Sequence, residues 1–138
     1  MIRQEIDLDG WWLVTVFYLP CSDNLAEVTE AYEDIGCPYS DVVTIRRMVG
    51  GQLNQGATYS SGRLRHSVVV IGRATCWSQF FDTMLHELKH VVDDVVMWYD
   101  IENLGEPPAY LQGELGRQMA PVVRRIACPC CGLEIKPL

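Results

Sequence analysis

The sequence has few basic residues and no long apolar run, and both shortages narrow the range of functions that the protein could have. It holds 11 Lys and Arg residues against 18 Asp and Glu residues, so its formal net charge at pH 7 is −7. Nucleic-acid binding needs a basic surface that displaces counterions from phosphates, so this charge opposes a nucleic-acid partner. The longest apolar run, "WWLVTVFYL", is too short to cross a bilayer, and the N-terminus lacks a secretory signal pattern. We therefore expect a cytoplasmic protein without nucleic-acid or membrane partners.

Internal repeats and low-complexity tracts are also absent, and 138 residues give room for one domain with a real core. We assign that domain to residues 1–127 and a Cys-rich tail to residues 128–138. The six cysteines could pair in an exported protein, but without a signal peptide we expect reduced thiols.

The tail carries a possible second metal site. Cys128 and Cys131 fit the pattern C-P-x-C-G, in which two thiolates two residues apart can bind one zinc ion. This is half of a structural zinc site, which needs four ligands, and the alternative is a reduced, thiol-rich tail.

The chain contains both strand patterns and helix patterns. "GWWLVTVFYLP" has the β-branched and aromatic residues of a buried strand, and "ATYSSGRLRHSVVVIG" resembles a hairpin around Ser61 and Gly62. Helical spacing and cap residues predict the remaining elements. These are a helix ending at Gly36, a short helix capped by Ser40, a long helix from Thr75 or Ser78 to about Trp98, and a helix over "EPPAYLQGELGRQM".

The long helix contains "HELKH", in which His86 and His90 lie one turn apart. With His86 set at zero on the helical wheel, His90 lies at about 40° and Glu87 at about 100°. An apolar stripe occupies roughly 200 to 260° and comprises Phe81, Leu85, Leu88 and Val92. We therefore expect the two imidazoles to converge on one point, on the side of the helix opposite its packing face.

The spacing H-E-x-x-H is typical of a catalytic zinc site. Two imidazoles from adjacent turns can bind one Zn²⁺, which makes water more acidic and polarises a carbonyl group. Glu87 is placed to act as general base and acid in the hydrolysis of a peptide. The alternative is a chance meeting of two core histidines and a surface glutamate.

A catalytic zinc site needs a third protein ligand, and the acidic residues after His90 are the candidates. Glu106 is favoured because it begins the next helix, and Glu114 and Glu102 are the alternatives. Asp93 and Asp94 are better placed to accept a hydrogen bond from an imidazole N–H, or else lie in solvent.

Two further side chains are candidates for catalytic help. Tyr110 lies one turn after Glu106 and could donate its hydroxyl to the oxyanion of the reaction, or could pack between helices. His66 adjoins the strand "SVVVI" and is more typical of a structural histidine.

"HELKH" followed by "EPPAY" resembles the gluzincin class of zinc metallopeptidases, in which a glutamate of an E-x-x-A pattern completes the metal site. The short spacing and the segment "RHSVVVIG" are similar to ImmA/IrrE-like peptidases and to small putative peptidases of phages and mobile elements. One departure is Tyr110, where ImmA/IrrE-like proteins usually carry a small amide or acidic residue. The resemblance implies a minimal zincin-like α+β fold, in which a small mixed or antiparallel sheet packs on the active-site helix and an edge strand lines the substrate cleft. A second helix would supply the third zinc ligand. The resemblance also implies zinc ligation by His86, His90 and Glu106.

Two functions follow as hypotheses. The first is a zinc-dependent peptidase that acts on a peptide or protein. The second is a non-catalytic zinc-binding interaction or assembly module that retains the helix as a scaffold.

Overall fold

A four-stranded mixed sheet forms the centre of the computed structural model, which describes residues 1–127. The strands are β1 (Ile2–Asp7), β2 (Leu13–Tyr18), β3 (Gly56–Ser61) and β4 (His66–Ile71), in the spatial order β1-β2-β4-β3. β2 and β4 are parallel, and the two outer pairs are antiparallel. The prediction of an α+β fold with a small mixed sheet is confirmed.

The central strands are buried on both faces, as the continuous apolar runs in the sequence predict. The predicted hairpin is also confirmed, since β3 and β4 pair directly. β1 was not predicted. Its signal was weak because only Ile6 of this edge strand is fully buried, while its other residues are charged, polar or half-exposed.

In the described part of the chain, four helices cover the two faces of the sheet. They are α1 (Leu25–Asp34), α2 (Tyr39–Gly51), α3 (Trp77–Trp98) and α4 (Glu106–Ile126), and a short 3₁₀ helix (Ser22–Asn24) precedes α1. α1 and α2 pack on the face that carries Phe17 and Val68. α3 and α4 pack on the opposite face, which carries Val16 and Ile71. Within residues 1–127, none of the helices combines the length and apolar character that a bilayer crossing requires.

Helix ends agree only in part with the predictions. Gly36 follows α1 with a φ of +84°, a conformation that suits glycine, and so ends that helix as predicted. The predicted caps are wrong: Pro38 precedes α2 in place of Ser40, and Cys76 precedes α3 in place of Thr75 or Ser78. Thr75 is engaged elsewhere, because its backbone N–H and its hydroxyl both donate to Asn54.

α4 extends beyond the predicted segment and contains Pro121. A proline inside a helix removes one hydrogen bond, but residues on both sides of it are buried here. Met119 and Ile126 are 3% and 2% exposed, so core packing favours continuation of the helix to Ile126.

The packing face of α3 is rotated from its predicted position. Phe81 and Leu85 of the predicted stripe are 43% and 42% exposed, whereas Phe80, Val91 and Glu87 are buried. The helix is apolar over a wide arc, so the periodicity admits two centres about 60° apart, and packing on the sheet selects the one nearer Glu87. His86 and His90 stay exposed on the side away from this packing face, as predicted, whereas Glu87 lies on it.

Candidate metal centre and cleft

His86 and His90 bring their imidazole rings together on the exposed side of α3. The two Nε2 atoms lie 3.1 Å apart, and the ring centroids are 4.8 Å apart with an interplanar angle of 75°. At this distance one ring can donate a hydrogen bond to the other. The convergence predicted from the sequence is present.

The separation of the two nitrogens can be compared with the needs of a zinc ion. Nitrogen ligands at 2.0–2.1 Å in tetrahedral geometry are about 3.3–3.4 Å apart. The 3.1 Å separation is within a few tenths of an ångström of that value. The donor chemistry and spacing of His86 and His90 therefore fit a shared zinc ion.

Glu87 is held between α3 and the edge strand β3. Its side chain belongs to the buried set, with only 5% of the residue exposed. Thr58 on β3 donates its hydroxyl to Glu87 Oε2 at 2.6 Å, a charge-assisted bond that fixes the carboxylate. Strand and helix approach closely here because the neighbouring strand residue is Gly56, where a Cβ atom would lie 2.6 Å from Glu87 Cγ.

A cleft of about 420 Å³ opens beside these three residues. α3 contributes His86, Glu87 and His90, β3 contributes the stretch 56–59, and the start of α2 contributes Asp41. Among the described residues, no lysine or arginine lines this cleft. The histidine pair, the glutamate and the edge strand thus share one solvent-accessible site.

The two aspartates after His90 have different surroundings. Asp94 lines the cleft, and Ser60 donates to its Oδ2 at 2.7 Å. Ser60 also bonds with Ser67, which accepts the indole N–H of the buried Trp12. Asp93 lies outside the cleft and pairs with Lys89. The structure therefore gives each aspartate a partner other than an imidazole.

The predicted residues of the second helix lie on another flank of α3. Glu106 is the first residue of α4; it is exposed and does not line the cleft. Within residues 1–127, no three His, Cys, Asp or Glu side chains form a group that could hold a metal ion. Glu106 as third ligand stays a prediction.

The other candidates on this flank also lie away from the histidines. Tyr110 is 73% exposed and lines a separate groove with Glu114. The bonds that Arg117 and Gln118 donate to Glu114 hold the pKa of that carboxyl down at about 2. Glu102 lines a third depression. The structure does not bring Tyr110 to the cleft, so its catalytic role, like the ligand role of Glu106, stays a prediction.

His66 has a structural environment. Its Nε2 lies 2.8 Å from the hydroxyl of Thr15, which donates to Glu5. Burial lowers the pKa of His66, an effect that Glu5 partly offsets. These contacts agree with the structural interpretation of this histidine.

Among the cleft residues that were not found from the sequence, two bear on its chemistry. Thr58 carries no motif, and its contact with Glu87 depends on how β3 packs on α3. Cys37 lies between α1 and α2, and burial, assisted by the nearby Asp41, raises the pKa of its thiol to about 11. Cys37 is therefore a neutral thiol near pH 7. Cys128 and Cys131, the predicted second metal site, lie outside the described residues.

Comparisons of the chain with protein-family models, with curated proteins and with solved structures find no match.

Proposed function

We propose that this protein is a zinc-dependent peptidase whose active site is the cleft between α3 and β3. The observation that carries the proposal is the geometry of "HELKH". Two imidazole nitrogens lie 3.1 Å apart, and a buried carboxylate fixed by Thr58 lies beside them in the same cleft. A closed structural zinc site has no need of such a carboxylate.

His86 and His90 would hold the ion, which supplies Lewis acidity for the activation of water and of the scissile carbonyl. Glu87 accepts the proton of the attacking water and delivers it to the leaving amine. Thr58 donates a hydrogen bond to Glu87 Oε2, so the other carboxylate oxygen, Oε1, is left to accept that proton. Because Glu87 is almost fully buried, its carboxylate keeps one orientation and does not need to be ordered during the reaction.

β3 is proposed to align the substrate. It is an edge strand, so one side of its backbone has no partner strand within the described sheet, and its residues 56–59 line the cleft. An extended peptide can add to such an edge through backbone hydrogen bonds. This arrangement supports the zincin-like interpretation of the fold.

Glu106 remains the proposed third ligand because it matches the E-x-x-A pattern and begins the helix that follows α3. Glu106→Gln should weaken zinc binding about 10-fold or more, measured by competition with a chromophoric chelator. Glu114→Gln is the matched control on the same helix and should bind zinc like the wild type. Equal affinity of all three proteins would remove Glu106 from the site.

The activity is tested with Glu87→Gln, which keeps the shape of the side chain and removes its basicity. The wild-type protein with zinc should hydrolyse an unfolded protein such as reduced casein, and the variant should bind zinc equally but lose the hydrolysis. If the wild type binds zinc and cleaves nothing in a mixed peptide pool, the peptidase proposal fails. The non-catalytic zinc module would then be the better description.

A further inference from the structure

A second concave surface lies on the flank of α3 away from the cleft, between the β1–β2 turn and α4. It encloses about 350 Å³, and we call it the aromatic groove because Trp11 and Tyr110 stand at its two sides. Its floor contains the buried Leu8, Val95 and Val96. The aromatic groove and the cleft have no lining residue in common.

The surroundings of the aromatic groove are unusually apolar for an exposed surface. Tyr110 is 73% exposed, Ile101 is 40% exposed and Trp11 is 37% exposed. Met97, in the last turn of α3, and Leu104, in the segment that joins α3 to α4, are each 74% exposed. Large exposed side chains gathered in one place mark a site of association with another molecule.

A neighbouring depression extends this surface along the same flank. It encloses about 530 Å³ and shares Val96 and Ile101 with the aromatic groove, so the two form one continuous surface. Two adjoining depressions suit a segment of polypeptide better than a small molecule.

The charges around this surface are mainly negative. Asp7 and Asp9 line the aromatic groove, Asp100 and Glu102 line the depression, and none of these four forms an ion pair among residues 1–127. The remaining carboxylates are compensated locally: Glu114 binds Arg117, and Asp93 binds Lys89, which is the cation that lines the depression. The aromatic faces of Trp11 and Tyr110 also favour a cation.

We propose that this surface docks a basic amphipathic segment of a partner protein. An apolar side chain of the segment enters the aromatic groove, and flanking Lys or Arg residues meet the acidic rim. A second copy of this chain fits less well, because its formal net charge of −7 would repel a surface of the same sign. The proposal does not depend on zinc or on peptidase activity.

The test uses a fluorescein-labelled 14-residue synthetic helix with leucines on one face and lysines on the other. Fluorescence anisotropy should show saturable binding to the wild-type protein, weakened by added salt. Matched peptides with Glu in place of Lys, or Ser in place of Leu, should not bind. Tyr110→Ala should weaken binding about fivefold or more.

Tyr39→Ala is the matched control, because Tyr39 is 82% exposed and lies on α2, on the other side of the sheet. This variant should bind like the wild type. A second variant, Asp9→Asn, should also weaken binding without disturbing the turn, since Asn accepts the φ of +52° at this position.

Several results would overturn the proposal. One is the absence of binding by the lysine peptide at millimolar concentration, and another is equal binding by the glutamate peptide. A third is equal loss of binding in Tyr110→Ala and Tyr39→Ala. Sedimentation equilibrium provides the fourth: a wild-type dimer that Tyr110→Ala dissociates would show that a second copy occupies the surface.

Discussion

Edge strand β3 packs against Glu87, the proposed general base, at Gly56. The substitution Gly56→Ala tests whether this close approach is required for stability and for hydrolysis. A Cβ atom there would lie 2.6 Å from Glu87 Cγ, 2.7 Å from the backbone oxygen of Val70 and 2.9 Å from Thr83 Cγ2. Non-bonded carbon atoms prefer about 3.5–4.0 Å, so the methyl group is close to 1 Å too near its carbon neighbours. Val70 belongs to the central strand β4 and cannot yield, so β3 must move away from α3.

Overpacking of this kind costs about 1–3 kcal/mol, and three simultaneous contacts place Gly56→Ala in the upper part of that range. Movement of β3 would also lengthen the bond from Thr58 to Glu87, so we expect hydrolysis to fall about 10-fold or more. The free energy of unfolding is measured by urea denaturation with tryptophan fluorescence, and hydrolysis by the casein assay.

Gly113→Ala is the matched control. Gly113 lies inside α4, and a Cβ atom there meets nothing within 4 Å. Alanine in a helix interior is favoured over glycine by about 0.5–1 kcal/mol, so this variant should be stabilised and should keep full activity. If Gly56→Ala matches the wild type in both stability and hydrolysis, the described packing of β3 on Glu87 is incorrect.

Three further predictions concern the cleft and the sheet. Thr58→Val should lower the free energy of unfolding by about 1.5–3 kcal/mol, because it removes a charge-assisted hydrogen bond to the buried Glu87. Thr58→Ser keeps a hydroxyl and should cost much less. Equal urea midpoints for the two variants would contradict this prediction. Burial lowers the pKa of His66 below 6.5, so as the pH falls the imidazole is protonated in the unfolded state before it is protonated in the folded state. The wild type should therefore lose stability relative to His66→Gln as the pH falls through 6.5. Urea midpoints of the two proteins that stay parallel from pH 8 to 5 would refute the structural role of a neutral His66. Cys76 is exposed and its pKa is lowered by a hydrogen bond with Ser78, whereas burial raises the pKa of Cys37 to about 11. Mass-spectrometric mapping should therefore find iodoacetamide on Cys76 well before Cys37, and the reverse order would show that Cys37 is accessible.

The sequence predicts those parts of the structure in which one local signal dominates. The run before Pro20, the hairpin around Gly62 and the stop at Gly36 each depend on neighbouring residues alone, and each is present. The pairing of His86 with His90 belongs to the same class, because their spacing on a helix fixes it.

Other features depend on contacts between distant parts of the chain, and these were missed or misplaced. The rotation of α3 is decided by the sheet, since both Phe80 and Phe81 suit a packing face and only Phe80 is buried. The hydrogen bond from Thr58 to Glu87 joins residues 29 positions apart, and no local sequence pattern predicts it. Tyr110 shares a helix with Glu106, but the direction in which α4 packs places it in the aromatic groove.

The central claim is that His86 and His90 hold a zinc ion at the cleft, and the most direct measurement is anomalous diffraction at the zinc edge from crystals grown with zinc. We predict one peak within about 2.0–2.1 Å of both Nε2 atoms, on the side of α3 that carries Glu87. A zinc-loaded crystal with no peak beside these two nitrogens, whether or not an ion lies at Cys128 and Cys131, would contradict the account.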